Sequence, residues 1–204
     1  MTNTARFRDF IARMSALVDQ HGADEPRIFA EGGALLADLV RHDDWLPPEF
    51  ARASAESYRQ YLLYCDPQER FSVVSFVWGP GQRTPIHNHT VWGLVGMMRG
   101  EELCEEYAPP VPGQPMRKTG EHPVRPGDID RVSPRVGDIH VVSNALPDGP
   151  SISIHAYGAN IGAVARHVFD PLTGRASPFV TGYHNTELPN FWDRSAEVRA
   201  RIAG

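Results

Sequence analysis

This chain is poor in cysteine, has no long apolar run and carries no block of basic charge. Its 204 residues include two cysteines, Cys65 and Cys104. Two thiols make no disulfide framework, and a reducing cytoplasm is the expected compartment. No stretch of about 18 apolar residues occurs, so no membrane span is expected. Met1 to Gln20 carries Arg6, Arg8, Asp9, Arg13 and Asp19 where a secretory signal would be apolar. Twenty basic and 25 acidic residues give a net charge of −5. The basic patch that nucleic-acid binding requires is missing. Glycine and proline, at 18 each, are plentiful. That suits many turns between short strands.

The N-terminal part reads as helical. Phe7, Phe10, Ile11, Met14 and Leu17 recur at steps of three and four. Thr2 or Asn3 is placed to cap this helix. A second helix is predicted over Ile28–Val40, and a short third from Glu49 to about Ser57, after the Pro47-Pro48 break. From Tyr58 the pattern changes. Strands are predicted at Phe71–Trp78, Val91–Met98, Glu101–Tyr107, Ile129–Val132, His140–Ser143, Ser151–Tyr157 and Val164–Phe169. Gly/Pro/Asp clusters separate them. Many short strands argue a sandwich or barrel rather than a parallel α/β sheet. The polar tail from Thr181, with Trp192, is expected to pack over an edge.

Chemistry concentrates at His87-Asn88-His89 and His140. In an extended strand, residues i and i+2 share a face, about 6–7 Å apart. Two neutral imidazoles so placed can reach one metal ion, and His140 is the candidate third ligand. Imidazole alone suits iron, zinc, copper or nickel. A second set lies on one strand, where Ser153, His155 and Tyr157 alternate with Ile154 and Ala156. Buried together, such a row would be hydrogen-bonded, with the histidine bridging its neighbours. It is no hydrolase triad, because no acid on that strand orients His155 and no nucleophile elbow surrounds the serines.

The spacings around these histidines resemble the two motifs of the cupin superfamily, a double-stranded β-helix (jelly roll). Gly81, His87, His89 and Gly100 match the first, and Pro134, Gly137, His140 and Asn144 the second. The glutamate that usually follows the second histidine is absent, its places being taken by Gly93 and Leu94. The resemblance implies a mainly β fold: a cupin barrel over 58–170, N-terminal helices over 1–57 and a C-terminal extension over 171–204, in a single domain of 1–204.

Three histidines together with Ser-x-His-x-Tyr resemble the thiol dioxygenases of the cysteine dioxygenase family. That resemblance implies iron(II) bound by His87, His89 and His140, with Ser153, His155 and Tyr157 as an outer network. It implies addition of both atoms of O2 to the sulfur of a small thiol carboxylate. The animal enzymes carry a cysteine near the position of Gly93 that crosslinks to the tyrosine, so no thioether is expected at Tyr157. Where those enzymes hold the substrate carboxylate with an arginine, this chain has Gln60. The Gln-bearing bacterial branch resembles 3-mercaptopropionate dioxygenase, with an arginine matching Arg166 near the carboxylate. The expected substrate is therefore 3-mercaptopropionate, with cysteine as the alternative, and a metal isomerase or non-catalytic cupin as alternatives of another class. Thiol and O2 are the expected partners, without nucleic acid, membrane or an obligate protein partner.

Overall fold

The computed structural model describes residues 3–191 and Val198. The apolar stripe read at the N-terminus forms helix α1 (Thr4–His21), burying Phe7, Phe10, Ile11, Met14, Leu17 and Val18. Asn3 sits at its N-cap but makes no side-chain cap; it bonds Asp44 instead. Thr2 lies outside the described residues. The second predicted helix is divided. A short α2 (Glu25–Arg27), capped by Asp24, leads into a wide turn at Ile28–Gly32 and then α3 (Gly33–Val40). The third shrinks to one tight turn at Pro48–Ala51.

Ten strands follow among the described residues: β1 (Arg59–Cys65), β2 (Ser72–Trp78), β3 (Gly93–Arg99), β4 (Glu102–Tyr107), β5 (Lys118–Val124), β6 (Ile129–Val132), β7 (His140–Asn144), β8 (Ser151–Tyr157), β9 (Arg166–Phe169) and β10 (Ala176–Phe179). One sheet runs β1-β2-β8-β3-β6, a second β5-β4-β7, and β10-β9 forms a two-stranded ribbon. All named pairings are antiparallel. With its N-terminal helices, this is the cupin-type barrel expected.

Three strands fall outside the sequence pattern for identifiable reasons. Strand β5 is an exposed edge containing Gly120 and Pro123, which alternation rules demote. Strand β10 contains Pro178. Strand β1 buries Gln60 among bulky neighbours, so polarity does not mark its inner face.

The middle of the five-stranded sheet is covered on both sides, so β2 and β8 have no exposed residue, while the edge strands β1 and β6 are only partly covered. Val73 and Val77 of β2, Leu94 and Met98 of β3, and Ile152, Ile154 and Ala156 of β8 join the cluster formed with the helices. Helix α3 comes so close that a Cβ on Gly96 would stand 2.9 Å from Leu36 and Val40. Alternation then forces Val74, Phe76 and Trp78 of β2, and Ser153, His155 and Tyr157 of β8, to the opposite face. That face looks into the barrel. Each apolar side chain fully buried behind it contributes about 1.5–3 kcal/mol, so the helices act as a clamp on the wall that carries the polar row. Of the C-terminal extension, Thr181, Gly182, His184 and Asn185 bond to β1. Phe191 packs against Phe7. Trp192 lies outside the described residues.

Candidate active site

His87, His89 and His140 meet inside the barrel, with ring centroids 4.8–4.9 Å apart. The strand assumed for the His-x-His pair is not regular. His87 makes isolated bridges to His140 and to Val168, and Thr90 just beyond the pair has φ +63°. His87 and His140 exchange both backbone hydrogen bonds at 3.1 Å. Asn88, facing the other way, exchanges two hydrogen bonds with His167 of β9. The pair is thus held from two sides.

Each imidazole has its Nδ1 engaged. His87 Nδ1 meets the Pro85 carbonyl at 3.1 Å, His89 Nδ1 meets Asp138 Oδ1 at 3.2 Å, and His140 Nδ1 meets Cys104 Sγ at 3.6 Å. Each Nε2 is left as the ligand atom, and ligand atoms of the three lie within 4.8 Å of one another. Burial and mutual repulsion hold His87 and His140 well below the usual imidazole range. Burial also lowers His89, partly offset by Asp138. Three neutral, converging, buried nitrogens suit a divalent metal ion.

Asp138 is the residue that sequence reading missed. Its Oδ1 accepts from the His89 N–H at 2.9 Å and its Oδ2 from the Thr90 N–H at 3.0 Å. A carboxylate absent from the ligand set therefore returns one bond away, behind His89. Its only signal in the sequence was its place two residues before His140.

Ser153, His155 and Tyr157 form the row expected of them. Ser153 Oγ lies 2.8 Å from His155 Nε2, and His155 Nδ1 lies 2.7 Å from the Tyr157 hydroxyl. All three are buried on a central strand. Tyr157 stacks on His89 with centroids 5.4 Å apart. Burial pushes its phenol above the ordinary range and His155 well below its own, so both are neutral near pH 7. Trp78 Nε1–H donates to Ser153 Oγ at 3.5 Å.

A cavity of about 30 Å³ joins these sets, lined by the three histidines, His155, Tyr157, Gln60 and Arg166, with Tyr58, Phe76, Trp78, Val142 and Phe179 as its aromatic and apolar wall. Gln60 lines it, while Arg59 turns away to Ser54 and Glu56. Arg166 is 3 % exposed. Its Nη2 donates to Thr181 Oγ1 at 2.9 Å, its guanidinium lies 4.7 Å from the Phe179 ring centre, and its Nε has no hydrogen-bond partner among the described residues. Gln60 Nε2 donates to the same Thr181 Oγ1 at 3.3 Å and to the Gly182 carbonyl. Asn144 is not at the site; it holds the Trp78 and Gly149 carbonyls.

The family model for cysteine dioxygenase type I matches residues 8–169. The chain belongs to the cysteine dioxygenase type I family. Membership makes it a cupin-type thiol dioxygenase in general terms, and the three-histidine cluster is its candidate metal site. Among solved structures, the chain is similar to a protein from Thermus thermophilus, at 18 % identity and TM-score 0.43 over 55 % of this chain and 92 % of that one. It is similar to a double-stranded β-helix protein from Klebsiella pneumoniae, at 21 % and 0.43 over 59 % and 95 %. A cupin-like protein from Thermotoga maritima matches at 20 % and 0.40 over 60 % and 86 %. Among the described residues, no helix is long and apolar enough to cross a membrane.

Proposed function

We propose that this cysteine dioxygenase family member is an iron(II) enzyme that converts 3-mercaptopropionate to 3-sulfinopropionate. The observation that carries the reading is the buried Arg166, its Nε without a partner among the described residues, lining the same cavity as the three histidines and Tyr157. An unpaired buried donor costs about 1–3 kcal/mol. A substrate carboxylate recovers that cost and neutralises the guanidinium, with the geometry that arginine forks favour. Gln60 supports this contact through Thr181, which it shares with Arg166.

Iron(II), held by His87, His89 and His140, would supply the redox chemistry that joins O2 to sulfur. Thiol plus O2 gives sulfinate plus one proton, so no co-reductant is required. Tyr157 presents a neutral phenol beside His89, where it orients oxygen or substrate by hydrogen bonding. His155 and Ser153 fix its direction. The aromatic wall excludes water from a cavity sized for a few heavy atoms. Among the described residues its lining contains no carboxylate. The α-ammonium of cysteine would find no counter-charge there, which favours the des-amino thiol.

The test is metal analysis of protein purified from iron-replete cells, then an O2 electrode with a thiol panel. The expected result is stoichiometric iron and one O2 consumed per sulfinate, with the highest kcat/KM for 3-mercaptopropionate. A strong preference for cysteine overturns the substrate. Turnover without O2 points to an isomerase, and no uptake with any thiol to a binding module.

A further inference from the structure

Among the described residues, a second group of ligand-type side chains converges behind His140. Cys104 of β4, His122 of β5 and Asp130 of β6 each bring a ligand atom within 4.8 Å of the others. Strand register puts them there. Cys104 pairs with His122 on one side and Val142 on the other, and directly paired residues share a face. Asp130 pairs with Val95, which pairs with His155, so Asp130 also faces the barrel interior. Cys104 is 5 % exposed, and its Sγ approaches His140 from the Nδ1 side at 3.6 Å. His122 Nε2 lies 2.8 Å from Asp130 Oδ2. A cavity of about 240 Å³ runs along all three, with Glu106 and His140 also in its wall.

The donors are one sulfur, one imidazole nitrogen and one carboxylate oxygen, the three kinds that zinc accepts at about 2.0–2.3 Å. Ligand atoms around such an ion stand roughly 3–4 Å apart, so small side-chain rotations close the site. A Cys104 thiolate and the Asp130 carboxylate bring two negative charges, and His122 brings none. A divalent ion therefore leaves an uncharged centre, which an enclosed site tolerates. Burial, and then Asp130, Glu106, Glu102 and Glu105, raise the Cys104 thiol above its ordinary range, so ligation releases one proton to solvent. The same carboxylates draw a cation inward. Arg131 is the one lysine or arginine in the wall among the described residues, and register places its side chain on the other face of β6. Sulfur also separates the two clusters chemically, because thiolate selects zinc-class ions more sharply than imidazole alone does.

We propose that Cys104, His122 and Asp130 form a second divalent-metal site, selective for zinc-class ions, that clasps the open side of the barrel. Strand β5 edges the three-stranded sheet and β6 the five-stranded one, and among the described residues no ladder joins them. An ion held by Cys104 and His122 on one sheet and by Asp130 on the other links those edges. Glu106, whose Oε1 is 3.9 Å from His122 Nδ1, is placed to complete four-fold coordination. A Cys104 thiolate is also a stronger acceptor for the His140 Nδ1–H, which keeps Nε2 of that ring turned to the first cluster. The site stands apart from the thiol dioxygenase reading, because none of its three ligands lines the cavity of the histidines.

Cobalt(II) is the probe, because a cobalt–thiolate bond gives a near-ultraviolet charge-transfer band that an all-imidazole site cannot give. Anaerobic titration of the metal-free, full-length chain is expected to bind two equivalents, one of them with the band. Cys104→Ser should lose the band and one equivalent, whereas Cys65→Ser keeps both. His89→Ala should keep the band and lose the other equivalent. In that variant one equivalent of zinc should bleach the band, since thiolate selects zinc. No band at any cobalt concentration, a band that survives Cys104→Ser, or a band that zinc leaves in place overturns the proposal. A band abolished by His89→Ala assigns Cys104 to the ion of the histidine cluster and overturns it equally. If Cys104→Ser fails to fold, His122→Gln and Asp130→Asn, at half-buried positions, replace it. Each is expected to weaken the banded equivalent more than tenfold, and unchanged affinity in both overturns the proposal.

Discussion

Gly93 lies directly across from Tyr157 on neighbouring antiparallel strands, and a Cβ at position 93 would stand 2.8 Å from the tyrosine ring and 2.7 Å from Val132. The tyrosine occupies the space that a side chain would take. In this chain the phenol is therefore fixed by His155 and by stacking on His89 rather than by a covalent link to the facing strand. Gly93→Ala is expected to displace the ring, costing about 1–3 kcal/mol of stability as overpacking does and lowering kcat more than tenfold with iron retained. Wild-type kcat and urea midpoint together would show that the ring has room to move.

The three-histidine cluster and the polar row were legible from spacing because His87-x-His89, Gly137-x-x-His140 and Ser153-x-His155-x-Tyr157 are each short local patterns. The split between helix-facing and cavity-facing residues of β8 was likewise readable, since Ile152, Ile154 and Ala156 alternate with Ser153, His155 and Tyr157. Asp138 was not legible as part of the site, nor was Glu102 as a buried partner of Ser151. Asp138 acts on His89 across 49 positions, and Glu102 reaches Ser151 across the same separation. Only the closure of the barrel brings them there. Gln60, paired with Phe76 of β2, faces the cavity, and its neighbour Arg59 does not line it.

Asp138 should act on metal affinity rather than on substrate. It accepts both the backbone and the ring hydrogen of His89, which orients the imidazole and raises its basicity. Asp138→Asn is expected to weaken iron(II) binding by about 10–100-fold, the usual cost of losing such a partner. Competition against a calibrated chelator measures this. An unchanged dissociation constant would mean that Asp138 serves only the turn at Thr90.

His89→Ala and His155→Ala should separate ligand from network. The first is expected to leave protein without stoichiometric iron. The second should keep its iron and lose most turnover, because His155 touches Ser153 and Tyr157 and no ligand nitrogen. Iron loss in His155→Ala, or full occupancy in His89→Ala, would reverse the assignments.

Arg166 should report on carboxylate binding. Lysine keeps the charge but loses the fork, so Arg166→Lys is expected to raise KM for 3-mercaptopropionate more than tenfold with a smaller change in kcat. A thiol of equal length lacking the carboxylate should be indifferent to the substitution. Equal losses on both thiols would assign Arg166 to the fold.

Glu102, buried and hydrogen-bonded by Ser151, makes a prediction about stability. Its carboxyl is raised from 4.5 to about 8 in the folded chain, so the folded state holds a proton that the unfolded chain has already released. Stability is then fully present below the unfolded value and falls as pH rises through the folded one. A shift of this size in an enclosed group corresponds to a few kcal/mol. Glutamine at 102 does not titrate, so Glu102→Gln should gain on the wild type as pH rises from 5.5 to 9, by urea unfolding at each pH. The comparison cancels the other titrating groups, which the two proteins share. A wild-type-to-variant difference constant across that range would mean that Glu102 is ionised in the folded barrel, its burial offset by the hydrogen bond from Ser151.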